Sequence, residues 1–226
     1  TYGFDQNSNY NISNKRFNLE NTQFDLKVTN YGKKTFIKHI TLNLLGRYNV
    51  LNATAAIAIC LNLGIKKEII KKTLKNFTGV QRRMTKIFEK NNREFYDDYA
   101  HHPTEISAVL GAVKSVHQKR KIISIFQPHR YSRVKSLKKE FSLSFKNSNL
   151  VILCPIYGAG EKKDLTYNPY IFAKLIAKNS NVQVVNINDE VELQKFLKKN
   201  LIDNEIIIGM GAGSISKWIR DLKKFI

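Results

Sequence analysis

Arg93-Glu94-Phe95-Tyr96-Asp97-Asp98-Tyr99-Ala100-His101-His102-Pro103-Thr104-Glu105 reads as a strand, a polar turn and the first turn of a helix. Phe95 and Tyr96 favour extended backbone, and Pro103 suits the first helical position, where its missing N–H would have no partner anyway. The free N–H groups of such a helix start favour anions. Acids and histidines crowd this turn. Three of the five histidines of the chain fall here or in Gln127-Pro128-His129-Arg130-Tyr131-Ser132-Arg133, which marks the two segments as the place for chemistry.

Working outward, Thr85–Phe88 and Arg93–Tyr96 form a hairpin, after which strand-like runs alternate with helical periodicity. The reading is a helix from Pro103 to about Val116, strand Lys121 to Phe126, helix about Val134 to Lys146 and strand Leu150 to Leu153. Next come helix Pro169 to Lys178, strand Val182 to Ile187, helix Glu190 to Leu201, strand Glu205 to Ile208 and a last helix from Ser214. This rhythm predicts an α/β domain over 80–226 with a Rossmann-like, doubly wound, mostly parallel sheet covered on both faces. Residues 1–79 differ. Short strands at Phe24–Val28, Thr35–Ile37 and Ile40–Leu45 lead to a mostly buried helix, Asn49 to Leu63, closed by Gly64. An amphipathic helix from Lys66 to about Asn76 follows, and Gly79 breaks the pattern.

A hydrophobic fraction of 42% over 226 residues supports a buried core. The net charge of +20 admits a polyanion binder. Yet Lys66, Lys67, Lys71, Lys72, Lys75, Lys198 and Lys199 interleave with Ile and Leu as solvent faces of amphipathic helices do. Cys60 and Cys154 sit in apolar runs without metal-ligand spacing, as expected of buried thiols in a reducing cytoplasm. No apolar run approaches a membrane span, and the sequence holds no Gly-x-x-x-x-Gly-Lys-Ser/Thr phosphate loop.

In a doubly wound sheet, ligands bind outside the carboxyl ends of the strands. Every polar cluster here follows such an end: Asp97–His102, Gln127–Arg133, Tyr157-Gly158-Ala159-Gly160-Glu161 and Gly209-Met210-Gly211-Ala212-Gly213-Ser214. Each has a plainer reading beside it. Asp97 and Asp98 fit turn or cap roles, Glu105 an ordinary first-turn acid, Arg130 and Arg133 a solvated loop, and the glycines simple turns.

Taken together, Gly46-Arg47-Tyr48-Asn49-Val50-Leu51-Asn52-Ala53-Thr54-Ala55-Ala56, Gly79-Val80-Gln81-Arg82-Arg83, Asp97 to Ile106, Phe126 to Arg133 and Tyr157 to Glu161 resemble the Mur ligase family. The resemblance runs the whole chain. It implies the C-terminal part of the central ATP-binding domain over 1–79 and the C-terminal Rossmann-like domain over 80–226. The UDP-binding domain and the phosphate loop lie outside the sequence, so the chain is expected to be a fragment, inactive alone. The activity implied is amide formation between L-alanine and the carboxylate of UDP-N-acetylmuramate through an acyl phosphate, with ATP and Mg²⁺ and with Mg²⁺ ligands mainly elsewhere in the ligase. The remaining domains of the same ligase are the implied protein partners.

By the same resemblance, Asn49 and Asn52 face adenine, Arg83 reaches ATP phosphates, and Asp98 holds ribose hydroxyls with His101 nearby. His129, Arg130 and Arg133 grip carboxylates, and Tyr99, His102, Tyr157 and Glu161 line that substrate pocket. Arg83, His101, His129 and Arg130 are the catalytic candidates, and no residue is assigned to a metal. Tyr48 departs from the family's usual His. Two alternatives remain at this stage: a sister ligase that attaches a murein tripeptide to the same sugar acid, and a non-enzymatic polyanion-binding protein. No specific nucleic acid is expected.

Overall fold

The computed structural model describes residues 1–17, 21–30, 32–44 and 46–226. The chain divides into two compact units, one of Thr1–Gly79 with Ser115–His117 and one of Val80–Lys114 with Gln118–Ile226. In the first, β1 (Tyr2–Gly3), β2 (Tyr10–Phe17), β3 (Thr22–Asn30) and β4 (Lys33–Leu42) form a sheet in that order, followed by α1 (Arg47–Asn62) and α2 (Lys67–Asn76). Period-two alternation turns Phe24, Leu26 and Val28 of β3 onto Val50, Ala53 and Ile57 of α1 and Ile70 of α2.

The runs at Thr35–Ile37 and Ile40 onward, read as separate strands, are one strand. Phe24 pairs with Ile40 but Leu26 with Ile37, so β4 carries one extra residue. This β-bulge brings Ile37 and Ile40, three positions apart, onto the same buried face, and their odd spacing is what breaks the alternation in sequence. His39 takes φ 56° within it, and its N–H donates to Asp25 Oδ1 at 2.7 Å. A matching irregularity in β2 places Asn14 at φ 48°, with its amide 2.8 Å from Asp25 Oδ2. One carboxylate on the central strand thus holds both bulges. Leu45, the expected end of that strand, lies outside the described residues.

The second unit runs β5 (Thr85–Lys90), β6 (Arg93–Asp98), α3 (Pro103–Val116), β7 (Lys121–Phe126), α4 (Tyr131–Ser136), α5 (Lys138–Ser142), β8 (Leu150–Leu153) and α6 (Pro169–Ser180). It ends with β9 (Gln183–Asn186), α7 (Glu190–Asn200), β10 (Glu205–Met210) and α8 (Ile215–Asp221). Its sheet has the order β5-β6-β10-β7-β8-β9, parallel throughout except for the β5–β6 hairpin. The doubly wound α/β expectation holds. On one face, Ile123, Ile125, Ile152 and Ile207 pack with Leu193 and Leu197 of α7 and Ile215 and Ile219 of α8. On the other, Phe126 meets Phe141 and Phe145, and Phe141 meets Phe172 of α6.

The single helix expected from Val134 to Lys146 is instead two short ones hinged at Leu137, which sits at φ −115°. The α5 end dissolves where Ser142 and Ser144 hydroxyls donate back to the carbonyls of Lys139 and Glu140, an alternative to helix continuation.

Gly209 in β10 has no room for a side chain, since an added Cβ would lie 2.2 Å from Ile219 Cγ1 of α8. Gly209→Ala should therefore lower stability by about 1–3 kcal/mol through overpacking, read as a reduced denaturant midpoint; an unchanged midpoint would mean that α8 shifts freely.

Candidate active site

Met210 of β10 pairs with both Asp98 of β6 and Phe126 of β7, and Phe126 pairs with Leu153 of β8. The four strands therefore end level, and the polar clusters that follow them share the carboxyl edge of one sheet, the ligand-binding edge of this architecture.

Successive residues of β6 point to opposite faces, and its last two are fully buried acids. Asp97 Oδ2 accepts the Ser216 hydroxyl at 2.5 Å and the Arg220 guanidinium at 3.2 Å, both from α8. Its other oxygen lies 3.8 Å from Arg82 Nε, and neither atom has a hydrogen-bond partner. Asp98 accepts the N–H of Ala100 at 2.7 Å and of Met84 at 2.8 Å, one on each oxygen. Burial pushes its pKa up to about 6 although those N–H bonds pull the other way. The segment before β5 is thereby pinned to the end of β6. There Arg82 takes φ 62°, accepts the Tyr99 N–H at 2.7 Å through its carbonyl and donates to the Gly211 carbonyl at 2.6 Å.

From this anchor the turn rises as a row of rings. Tyr99 lies under the Arg82 and Arg83 guanidinium groups, 4.8 and 5.8 Å from its centroid. His101 meets Tyr99 edge-on at 5.0 Å and His129 at 5.7 Å, and His129 stacks on Tyr157 at 5.6 Å. Desolvation, then the charges of Arg133, His101 and Arg130, hold the His129 pKa below its ordinary value. Pro103 starts α3 as expected, and Glu105 closes a capping-box arrangement. Its Oε2 accepts the N–H groups of His101 and His102 at 3.0 and 3.1 Å, while Oε1 lies 3.9 Å from Arg83.

The His129 and Tyr157 loops pair in a parallel bridge, with Tyr157 N–H on the Pro128 carbonyl and Arg130 N–H on the Tyr157 carbonyl. Arg130 takes φ 72° at the start of α4 and its side chain is exposed; Arg133 donates to His129 Nδ1 at 3.2 Å. Glu161 reaches back to Ser132, accepting its N–H at 3.1 Å and its hydroxyl at 2.5 Å. Those bonds, led by the hydroxyl, hold the Glu161 pKa low. Gly213 lets the loops close, since a Cβ there would meet the Tyr157 ring at 2.4 Å and Gln127 Oε1 at 2.6 Å.

Of the expected site residues, Arg83, Tyr99, His101, His129, Arg133 and Tyr157 form this row and its flanks. His102 contributes its N–H to the cap of α3, and Asp98 lies beneath the turn rather than on it. Asn49 and Asn52 belong to the first unit, three positions apart and so on one face of α1. Two residues of consequence were not anticipated. Arg82 carries the buried contacts, and the Gln127 amide caps α8, accepting the Ile215 N–H and donating to Ser214, both at 3.0 Å. Adjacent arginines and a loop glutamine carry no sequence signal that separates these roles. Among the described residues, no three His, Cys, Asp or Glu side chains group as metal ligands, and no helix is long and apolar enough to cross a membrane.

Comparison with known proteins adds a family and relatives. The family described as "Mur ligase, glutamate ligase domain" matches residues 82–213. A UDP-N-acetylmuramate--L-alanine ligase of Pelagibacter ubique is 52% identical over 227 residues, covering 100% of this chain and 49% of that protein. One of Ruthia magnifica is 38% identical, over 95% of this chain and 46% of that one. The crystal structure of a UDP-N-acetylmuramate-alanine ligase from Thermotoga maritima superposes with a TM-score of 0.78 at 25% identity, over 97% of this chain and 46% of its own. A murein peptide ligase from Psychrobacter arcticus shares the fold, with a TM-score of 0.66 at 19% identity over 97% of this chain and 44% of its own. The chain spans about half the length of the curated relatives it matches.

The buried Asp98 makes stability depend on pH. Because its folded pKa is raised, the folded chain keeps a proton that the unfolded chain loses. Its contribution is fully present below about pH 4 and is lost as pH rises through about 6. The stability of the parent relative to Asp98→Asn should fall by about 2–3 kcal/mol between pH 4 and 7 in urea titrations. A flat difference would mean that Asp98 titrates as in water.

Proposed function

The chain belongs to the Mur ligase family, and on that premise we propose that it forms part of an ATP-dependent ligase joining L-alanine to the carboxylate of UDP-N-acetylmuramate in peptidoglycan precursor synthesis. Relatives of that printed name along the whole chain support the reading. The observation that carries it is the row Tyr99–His101–His129–Tyr157 flanked by Arg83 and Arg133 on the carboxyl edge of the sheet. The first unit is read as the back of the ATP-binding domain and the second as the C-terminal domain. In support, α1 is apolar around much of its girth, yet Ile59 is 62% exposed, which suits a helix covered by further chain in the whole protein. The reaction is assigned to the cytoplasm.

The chemistry brings anions together. The terminal phosphoryl of ATP passes to a carboxylate oxygen, and the amine nitrogen then attacks the acyl carbon, releasing phosphate. Cations must offset the repulsion in both steps. Arg83 is assigned to phosphate and Arg130 and Arg133 to carboxylate, where a planar guanidinium offers paired donors. His102, Tyr157 and Glu161 border the amino-acid site, Glu161 by fixing the first turn of α4. Asn49 and Asn52 are assigned to adenine. A ribose contact by Asp98 requires its carboxylate to exchange the N–H groups it now holds. Among the described residues no three His, Cys, Asp or Glu side chains group as metal ligands, and the Mg²⁺ ligands are assigned to other parts of the ligase.

Calorimetric titration tests the reading with L-alanine, UDP-N-acetylmuramate, a murein tripeptide and ATP, at low and high salt. Salt-tolerant binding of L-alanine or the sugar acid, weakened about tenfold or more in Arg130→Ala, is expected. Binding of any polyanion that collapses with salt and ignores Arg130 would replace the ligase reading with a charge-driven one; preference for the tripeptide would move it to the sister ligase.

A further inference from the structure

The two central rings of the row are held in opposite tautomers. His101 Nδ1 lies 2.9 Å from the Tyr99 carbonyl and 3.3 Å from Glu105 Oε2. A carbonyl and a carboxylate only accept, so the proton sits on Nδ1 and the lone pair of the neutral ring is on Nε2. His129 is the reverse. Its Nδ1 faces Arg133, a group that only donates, so the lone pair is on Nδ1 and the proton on Nε2. The rings stand edge-on 5.7 Å apart, with the His101 side chain 19% exposed.

We infer that His101 is the base that takes a proton from the incoming amine through Nε2, and that His129 is a hydrogen-bond donor to substrate through Nε2–H. The inference rests on the ligase reading and deepens it, since residue types alone leave the choice of histidine open. The ammonium gives one proton to His101 Nε2, and the freed lone pair forms the C–N bond at the acyl phosphate carbon. The carbon–oxygen bond to phosphate breaks with its electron pair on the leaving phosphate, and the second amine proton passes to that phosphate or to water. The imidazolium that forms has the Glu105 carboxylate behind it, the arrangement by which an acid orients and supports a catalytic histidine. Glu105 is a positioning residue, itself fixed by the two N–H groups it caps. His129 is unsuited to the task, because Arg133 occupies its only lone pair and opposes a second positive charge.

Two measurements test this. Two-bond ¹H–¹⁵N correlation spectra of the chain should show His101 protonated at Nδ1 and His129 at Nε2; His101 protonated at Nε2 when neutral overturns the assignment whatever the reaction. In the ligase carrying this segment, His101→Gln should lower kcat for amide formation by about 10²–10⁴. The KM for ATP should stay unchanged and the acyl phosphate should still be trapped by hydroxylamine. His129→Gln should instead raise the KM for the amino acid. The titratable and charged groups that meet His101 are Tyr99 and His129 through ring contacts and Glu105 at Nδ1, with Arg83 beyond Glu105 and Arg133 beyond His129. Glu105→Gln should lower kcat with the KM for ATP unchanged and raise the share of neutral His101 protonated at Nε2 in the same spectra, a tautomer change that loss of a helix cap alone does not produce. Full kcat in His101→Gln, or a loss confined to ATP affinity, overturns the proposal. Absence of turnover in the unaltered enzyme overturns the ligase reading and this inference with it.

Discussion

Two adjacent carboxylates without solvent access, Asp97 and Asp98 at the end of β6, set the position of nearly everything around them. Strand geometry sends them to opposite faces. Asp97 ties the sheet to α8 through Ser216 and Arg220, with Arg82 close by. Asp98 ties it to the turn at Ala100 and to Met84. Buried charges persist only where partners surround them, and these partners are the segments that carry Arg83, Tyr99 and His101. The exposed row of rings is therefore the upper side of a buried polar layer.

The level ends of β6, β10, β7 and β8 do the rest. Parallel register alone gathers loops far apart in sequence onto one edge, and the insertion of β10 between β6 and β7 brings the Gly209–Gly213 turn beneath the His129 and Tyr157 loops. Small residues are required there because three loop backbones converge, with Gly213 under the Tyr157 ring and Gly211 against the Gln127 carbonyl. These glycines looked like ordinary punctuation in sequence; the space they leave is a packing requirement.

The fold class was legible because strand and helix periods alternate cleanly after Gly79, and the family because its segments recur in order. What escaped had local causes. The β4 bulge broke the period-two signal that identifies one strand, since the residue that restores it is a His in a left-handed conformation held by a distant Asp. The division of α4 from α5 depends on serine hydroxyls choosing carbonyls. The candidate site was legible as residue types at strand ends. Which of Arg82 and Arg83 turns inward, and which nitrogen of each histidine holds a proton, depend on partners brought in by the fold.

Glu105 has a consequence for motion. The oxygen that caps α3 is also the one beside the His101 ring, so the helix start and the aim of the imidazole share a single contact. Helix ends open far more often than sheet interiors, because fewer contacts close them. Each such opening takes away one of the two partners of His101 Nδ1 and leaves the Tyr99 carbonyl to hold the ring. On warming, the aim of His101 should loosen in brief excursions at temperatures where the six-stranded sheet is still intact, so the working range of the site would be narrower than the range over which the domain stays folded.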